Sequence, residues 1–280
     1  MSDKSKILGL IAGGGQFPLM VAEAAVKQGF RVVAVAHTDE TDPSLTHKVN
    51  RIVWIKLGQL DQLIGALKEN GVKKALMAGA ITKKRMFEKI SPDSRGLMLM
   101  SKLKVFHDDG FLRAIAEELA EEGIEIVSST ICLPELLAPP GCLTRKRPTR
   151  EQEEDIRFGW KIAKEIGRMD IGQCTIVRRK TVLAVEAMEG TDETILRGGA
   201  LAKEKAVVVK VSKPQQDLRF DVPSVGFETV KAMTQVKASV LAVEAGKTLI
   251  FDKPEMIAYA DKAGISIVSG KHGEGGPVWC

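Results

Sequence analysis

Strand-like and helix-like patterns alternate through the first 130 residues, and few architectures accept such an order. Residues 7–12 read as a buried strand that runs into Gly13-Gly14-Gly15, and residues 17–28 carry helical periodicity that stops at Gly29. Apolar runs follow at 31–36 and 51–57, then a helical stretch at 60–70 that ends at Gly71. Residues 75–81 are strand-like, 95–106 and 111–122 are helical, and 124–128 closes the series as a strand. Helices placed between strands cover both faces of a sheet. The order therefore predicts an α/β fold with a doubly wound, Rossmann-like parallel sheet whose ligand sits beyond the carboxyl ends of the strands.

At 280 residues the chain has room for a second domain. Pro134, Pro139, Pro140 and Gly141 punctuate a stretch of little periodicity, and Arg145-Lys146-Arg147-Pro148 follows. This assigns residues 1–135 to the Rossmann-like domain, 136–148 to a linker, and 149–280 to a second α/β domain. Thr149 and Gln152 fit the S/T-x-x-E/Q capping box and open a helix that ends before Gly167. Beyond it, strands are expected at 174–178, 182–187, 206–211, 240–245, 248–251 and 265–268, with helices near 193–203, 228–236 and 254–262. One hexapeptide occurs twice, Val182-Leu183-Ala184-Val185-Glu186-Ala187 and Val240-Leu241-Ala242-Val243-Glu244-Ala245. It predicts two similar strands, each reaching the surface with a Glu at its end.

Composition removes several classes of function. Hydrophobic residues at 44% and charged residues at 28% describe an ordinary globular chain and exclude disorder and low complexity. The 41 basic and 36 acidic residues leave a net charge of +5, and aromatics are 5%. Neither number supports a nucleic-acid partner, although an anionic substrate or membrane surface is compatible. The longest apolar runs, 32–36 and 206–209, fall far short of the roughly 18 residues of a membrane span. With no signal-peptide pattern at the N-terminus, a cytoplasmic chain is expected. Cys132, Cys142, Cys174 and Cys280 form no C-x-x-C, which argues against a disulfide framework or a cysteine zinc site. His37, His47, His107 and His272 stand in none of the H-x-H, H-x-x-E-H or H-E-x-x-H spacings. G-x-S-x-G and the Walker sequence are absent too. A hydrolase built on this sequence would use carboxylates with a hard divalent cation such as Mg²⁺.

Four segments can carry chemistry. Ala12-Gly13-Gly14-Gly15-Gln16-Phe17-Pro18 joins the first strand to the first helix, where glycine N–H groups can approach a phosphate or merely serve the turn. It contains G-x-G, but Pro18 stands where a dinucleotide fingerprint needs its third Gly, and the second strand ends in His37-Thr38-Asp39 rather than a clean ribose-binding acid. His107-Asp108-Asp109-Gly110 precedes a helix and can cap it or hold a metal. Residues 186–199 gather Glu186, Glu189, Asp192 and Glu193 near Thr191, Thr194 and Arg197; Thr191 suits an N-cap and Arg197 can reach a phosphate. Residues 210–226 lead an apolar strand into a loop bearing Lys213, Gln215, Gln216, Asp217, Arg219 and Asp221, suited to phosphate and a metal-bound carboxylate.

Taken in order, the chain resembles the LpxI-type UDP-2,3-diacylglucosamine pyrophosphatases of lipid A biosynthesis. The resemblance rests on Ile11-Ala12-Gly13-Gly14-Gly15-Gln16-Phe17-Pro18, Asp108-Asp109-Gly110-Phe111-Leu112-Arg113, Leu133-Pro134-Glu135-Leu136-Leu137-Ala138-Pro139 and Asp170-Ile171-Gly172-Gln173. It continues through Val185-Glu186-Ala187-Met188-Glu189-Gly190-Thr191-Asp192, Arg219-Phe220-Asp221-Val222-Pro223 and Ala242-Val243-Glu244-Ala245-Gly246-Lys247-Thr248. It implies hydrolysis to UMP and 2,3-diacylglucosamine 1-phosphate (lipid X), with water attacking the uridine-side phosphorus and a divalent cation required. It also implies two domains with the lipid product between them. By motif, the family's important aspartate falls on Asp221, as metal ligand or as the group that orients water. Substrate contacts are expected from Gly14, Gly15, Gly79 and Gln173, with Thr191 and Asp192 opposite, and from Arg197 and Lys213.

A two-chain lipid substrate needs shelter. Leu97-Met98-Leu99-Met100 with Leu103 can line an apolar groove. Basic clusters at Lys83-Lys84-Arg85, Arg145-Lys146-Arg147 and Arg178-Arg179-Lys180 can meet anionic headgroups, giving weak peripheral contact with the inner membrane surface. A homo-oligomer is compatible with the sequence. Two competing readings are a nucleotide- or sugar-nucleotide-dependent oxidoreductase or transferase, and a non-catalytic lipid or nucleotide carrier. The first lacks its third glycine and ribose acid; the second predicts binding without turnover.

Overall fold

The structure is a computed structural model that describes residues 6–81, 90–102, 108–273 and 276–278. The chain separates into two compact units: residues 1–134 with 217–221, and residues 135–216 with 222–280.

In the first unit β1 (Ile7–Ala12), β2 (Arg31–His37), β3 (Arg51–Ile55), β4 (Lys74–Ala78) and β5 (Glu125–Ile126) form a five-stranded sheet in the order β3-β2-β1-β4-β5. Every pairing in it is parallel. The connecting helices are α1 (Phe17–Lys27), α2 (Leu60–Glu69), α3 (Ser94–Lys102) and α4 (Asp108–Glu121). Side chains alternate across a strand, so each sheet face has its own set. Ile11, Val33, Val35, Ile55, Ala75 and Met77 pack on one face against Leu63, Leu67, Leu99 and Leu119 from α2, α3 and α4. The opposite set, including Leu8, Leu10, Val32, Ala34 and Leu76, is equally buried, as are Val21, Ala22 and Ala25 of α1, which packs on β1, β2 and β4. Cover on both faces explains why these strands read as unbroken apolar runs, and it is the doubly wound arrangement the alternation predicts.

The second unit holds β6 (Gly141–Cys142), α5 (Arg150–Arg168), β7 (Cys174–Arg178), β8 (Thr181–Val185), α6 (Thr191–Ala202) and β9 (Val207–Lys210). It continues with β10 (Ser224–Val225), α7 (Phe227–Gln235), β11 (Val240–Glu244), β12 (Leu249–Ile250), α8 (Lys253–Ala263), β13 (Ser266–Gly273) and β14 (Gly276–Val278). Its seven-stranded sheet runs β14-β13-β11-β9-β7-β8, with β6 paired to β13. The strands β9, β11 and β13 are parallel, whereas β7, β8, β6 and β14 run against their neighbours. The capping box is present: Thr149 Oγ1 accepts from Gln152 N and Gln152 Oε1 accepts from Thr149 N. The helix it opens buries Ile156, Trp160 and Ala163 with Val207 and Val209 of the sheet.

Two boundaries differ from the sequence reading. Residues 136–148 are not a free linker. Ala138 N donates to Thr248 O, Leu143 N to Ile267 O, and β6 adds to β13, so the stretch is stitched into the second unit. Its prolines interrupt helical and strand periodicity without freeing the backbone from hydrogen bonds. Asp221, placed by sequence in the second domain, belongs to the short segment 217–221 that packs with the first unit. Cys132 and Cys174 are buried free thiols, and Cys142 is disulfide-bonded.

Candidate functional site

At the carboxyl edge of the first sheet, the glycine turn after β1 is zipped to the end of β4. Gly13 N donates to Ala78 O at 2.8 Å, Gly14 N to Ala80 O at 2.7 Å, and Ala80 N returns a bond to Gly14 O at 3.2 Å. A side chain at Gly79 would bring its Cβ to 2.5 Å from Gly14 O and 2.8 Å from Pro18 Cγ, and its φ is +89°. The zipper consumes the N–H groups of Gly13 and Gly14, which serve the turn. Gly15 N makes no hydrogen bond among the described residues. It stands just ahead of α1, whose N-cap Gln16 supplies no side-chain cap.

Beside this zipper lies a cavity of about 370 Å³. Its floor is formed by strand tips of one face: Ile11, His37, Ile55 and Met77. Leu60 and Leu63 of α2, Leu99 and Met100 of α3, and Phe111 and Ile115 of α4 wall it, and Gly79 lies at its rim with Asp221. The residues expected to line an apolar groove divide here. Leu99 and Met100 face the cavity, Leu97 and Met98 are exposed at 57% and 59%, and Leu103 lies outside the described residues.

A short knot presents Asp221. Phe220 N and Asp221 N both donate to Asp217 O, at 3.0 and 3.2 Å. Asp217 takes Arg219 Nη2 at 2.6 Å and Arg219 N at 3.1 Å, and Ser128 Oγ donates to Leu218 O at 3.2 Å. The Arg219 guanidinium, hydrogen-bonded to Asp217, holds that carboxyl below the usual carboxylate range. Arg219 also lies 4.8 Å over the Phe220 ring, and Phe220 packs on the core cluster of the first unit. Anchored this way, the turn brings Asp221 to the cavity. Among the described residues no three His, Cys, Asp or Glu side chains converge as a metal cage. His107 and the side chains of Asp108 and Asp109 lie outside the described residues.

The second unit gathers its polar groups at one sheet edge as well. Cys174 pairs with Lys210 and Thr175 with Val185, so the start of β7 shares an edge with the ends of β8, β9 and β11. The repeated hexapeptide ends there twice, but neither Glu reaches the surface: Glu186 is 7% exposed and Glu244 is 2%. Glu186 accepts from Gln173 N at 3.0 Å and Thr191 Oγ1 at 2.6 Å. Glu244 accepts from Ser212 N, Ser212 Oγ and Lys164 Nζ at 3.0, 2.9 and 2.6 Å, and Lys247 joins it at 3.0 Å. Burial pushes the Glu244 carboxyl up, yet the two lysines and Ser212 outweigh it and hold it below its usual range. The sequence reading missed Glu244 as a buried group; the repeated V-L-A-V-E-A was the available signal.

The expected substrate residues of this unit fare differently. Gln173 and Thr191 share Glu186, and Gln173 Oε1 is buried without a hydrogen bond among the described residues, a group ready for a donor on a ligand. Thr191 is not the N-cap. Gly190, with φ +84°, takes that place, and the Thr191 hydroxyl is drawn to Glu186 instead. Asp192 lies in the first turn of α6. Arg197 is held by Glu189 and by Val185 O at 2.9 Å, and Lys213 Nζ by Asp170 Oδ1 at 2.5 Å, so both cations already have anionic partners. In two of the basic clusters some of the cations also have acidic partners. Lys180 pairs with Glu154 at 2.7 Å, Arg179 with Glu151 at 3.6 Å and Arg145 with Asp261 at 3.6 Å. The cluster at 83–85 lies outside the described residues. Among the described residues no helix is long and apolar enough to cross a membrane.

Comparison with known proteins covers both units. The LpxI N-terminal domain matches residues 7–136 and the LpxI C-terminal domain residues 139–268. The UDP-2,3-diacylglucosamine pyrophosphatase LpxI of Caulobacter vibrioides is 33% identical over 272 residues, 93% of this chain and 96% of that protein. A solved crystal structure, that of gox2253, aligns over 87% of this chain and 78% of its own at 13% identity, with a TM-score of 0.28 that carries no statement about fold.

Proposed function

The chain belongs to the LpxI family, and from that premise we propose that it hydrolyses the pyrophosphate of UDP-2,3-diacylglucosamine to UMP and lipid X. Water attacks the uridine-side phosphorus. The observation that carries this reading is the placing of Asp221 by its knot at the rim of an apolar cavity on the carboxyl edge of the first sheet. Such a cavity suits an acyl chain: each buried methylene is worth about 0.8 kcal/mol, so apolar walls from α2, α3 and α4 supply binding energy remote from the reacting bond. A carboxylate at the rim then meets the phosphate end of the same ligand.

A divalent cation such as Mg²⁺, when bound, would neutralise charge that builds on the pyrophosphate oxygens. The donor set fits an ion that takes one or two carboxylates and completes its shell with water and phosphate, because among the described residues Asp221 is the acid that lines this cavity and no closed cage accompanies it. Asp221 itself orients the attacking water and accepts its proton, or holds the cation in place. Gly15 N, ahead of α1, donates to a phosphate oxygen.

The test is Asp221→Asn, which keeps the shape of the side chain and removes its charge. It should fold with an unchanged melting temperature, bind UDP-2,3-diacylglucosamine, and release UMP at least about 10²-fold more slowly, the lower end of what general-base work contributes. Recovery of rate at high Mg²⁺ concentration would assign Asp221 to the cation, and loss at every concentration to the water. UMP release within threefold of the unsubstituted chain would remove Asp221 from the chemistry.

A further inference from the structure

His37 closes β2 as one of the four strand tips under the cavity. Alternation along the strand puts its side chain on the face of Val33 and Val35, both in the core beneath, and so toward the cavity. The residue is 7% exposed. Its Nδ1 lies 2.9 Å from Ala12 O. A carbonyl oxygen can only accept, so Nδ1 carries the hydrogen and Nε2 presents its lone pair. Thr41 braces this arrangement: its Oγ1 donates to Ala12 O at 2.7 Å and accepts from His37 N at 3.0 Å, and its N donates to His37 O at 3.0 Å. Burial pushes the imidazole below its usual range, which keeps the ring neutral near pH 7. Among the described residues Nε2 makes no hydrogen bond.

A fixed acceptor in a mostly apolar cavity selects by what it refuses as well as by what it takes. A phosphate oxygen or ester carbonyl placed against the Nε2 lone pair is repelled, and an alkyl group leaves the acceptor unpaired. An N–H or O–H donor satisfies it. We propose that His37 is a specificity-determining residue of this site, its Nε2 accepting a hydrogen bond from the amide N–H or a hydroxyl that adjoins an acyl chain of the acylated sugar. The proposal rests on the reading of this cavity as an acyl site given above, and it assigns a polar reader among the strand tips beneath mostly apolar walls.

Two substitutions separate the nitrogens. His37→Asn keeps a donor near Nδ1 for Ala12 O and removes the acceptor; His37→Gln places a polar group near Nε2. Steady-state UMP release from UDP-2,3-diacylglucosamine should show KM raised roughly tenfold in His37→Asn, with kcat within threefold and the melting temperature unchanged. In His37→Gln, KM should return to within threefold of its original value. An unchanged KM in His37→Asn, or a fall in kcat at constant KM, overturns the proposal. Should His37→Asn fail to fold, the ¹⁵N resonance of His37 Nε2 in the unsubstituted protein decides: it should move on saturation with lipid X, and a fixed resonance overturns the proposal. Absence of UMP release by the unsubstituted protein would instead count against the functional reading itself.

Discussion

Gly79 sits where three demands meet: a left-handed φ of +89°, a backbone partner at 2.5 Å from any Cβ, and the rim of the cavity. Gly79→Ala should lower stability by about 1–3 kcal/mol through strain alone. It should also reduce turnover by parting the zipper between Gly14 and Ala80. Urea unfolding checks the first effect, and stability within 0.5 kcal/mol of the parent would show that the turn yields cheaply. Single residues were unevenly legible in the sequence. Gly79 lines the cavity and Gln173 shares Glu186 with Thr191, and Asp221 was reached through the resemblance of its motif to a family. For Gly13 to Gly15 phosphate contact and a turn-only role both stayed open, because three glycines in a row conceal which N–H groups the neighbouring strand will consume. His37 was weighed only for metal-ligand spacing and as a neighbour of the missing ribose acid, neither of which bears on a hydrogen-bond acceptor. Only the Ala12 carbonyl 2.9 Å from Nδ1 shows which nitrogen is left for a ligand.

Among the elements, α3 supplies Leu99 and Met100 to the cavity, and its hold on the unit is electrostatic as well as apolar. Arg95 donates to Glu118 at 2.8 Å and Glu122 at 2.7 Å, and Lys68 of α2 reaches Glu122 at 2.5 Å. The Lys68 hydrogen bond, followed by that of Arg95, pulls the Glu122 carboxyl from 4.5 down to about 2. A folded value below the unfolded one means that the carboxylate stabilises the native state above about 4.5 and loses that contribution as pH falls toward about 2. The melting temperature of the parent should therefore fall across that window more steeply than that of Glu122→Gln. Parallel curves would mean that solvent screening leaves the pair without weight. Elements with strong periodicity were legible, α1, α2 and the capped α5 among them. The β7–β8 hairpin gave no turn signal. Its turn residues, Arg179 and Lys180, have φ of +49° and +55° without being Gly or Asn, and the buried Asp155 carboxylate on α5 accepts both of their N–H groups. A turn stabilised from a distant helix cannot be read from its own dipeptide.

For the whole molecule, the division into two α/β units was legible because the helix–strand alternation changes character near residue 135. The mixed topology of the second sheet was not, since apolar runs do not encode strand direction. Nor was the return of residues 217–221 to the first unit, which depends on Phe220 packing on that unit's core and on Leu218 O accepting from Ser128 far earlier in sequence. That return gives the account its centre, because it places a carboxylate from the second half of the chain on the edge of the first sheet. The central claim is that this chain cleaves the pyrophosphate with water entering on the uridine side. Incubation with UDP-2,3-diacylglucosamine and Mg²⁺ in H₂¹⁸O, with both products weighed by mass spectrometry, tests it directly. The account predicts one ¹⁸O atom in UMP and none in lipid X; label in the lipid X phosphate, or no cleavage at all, would contradict it.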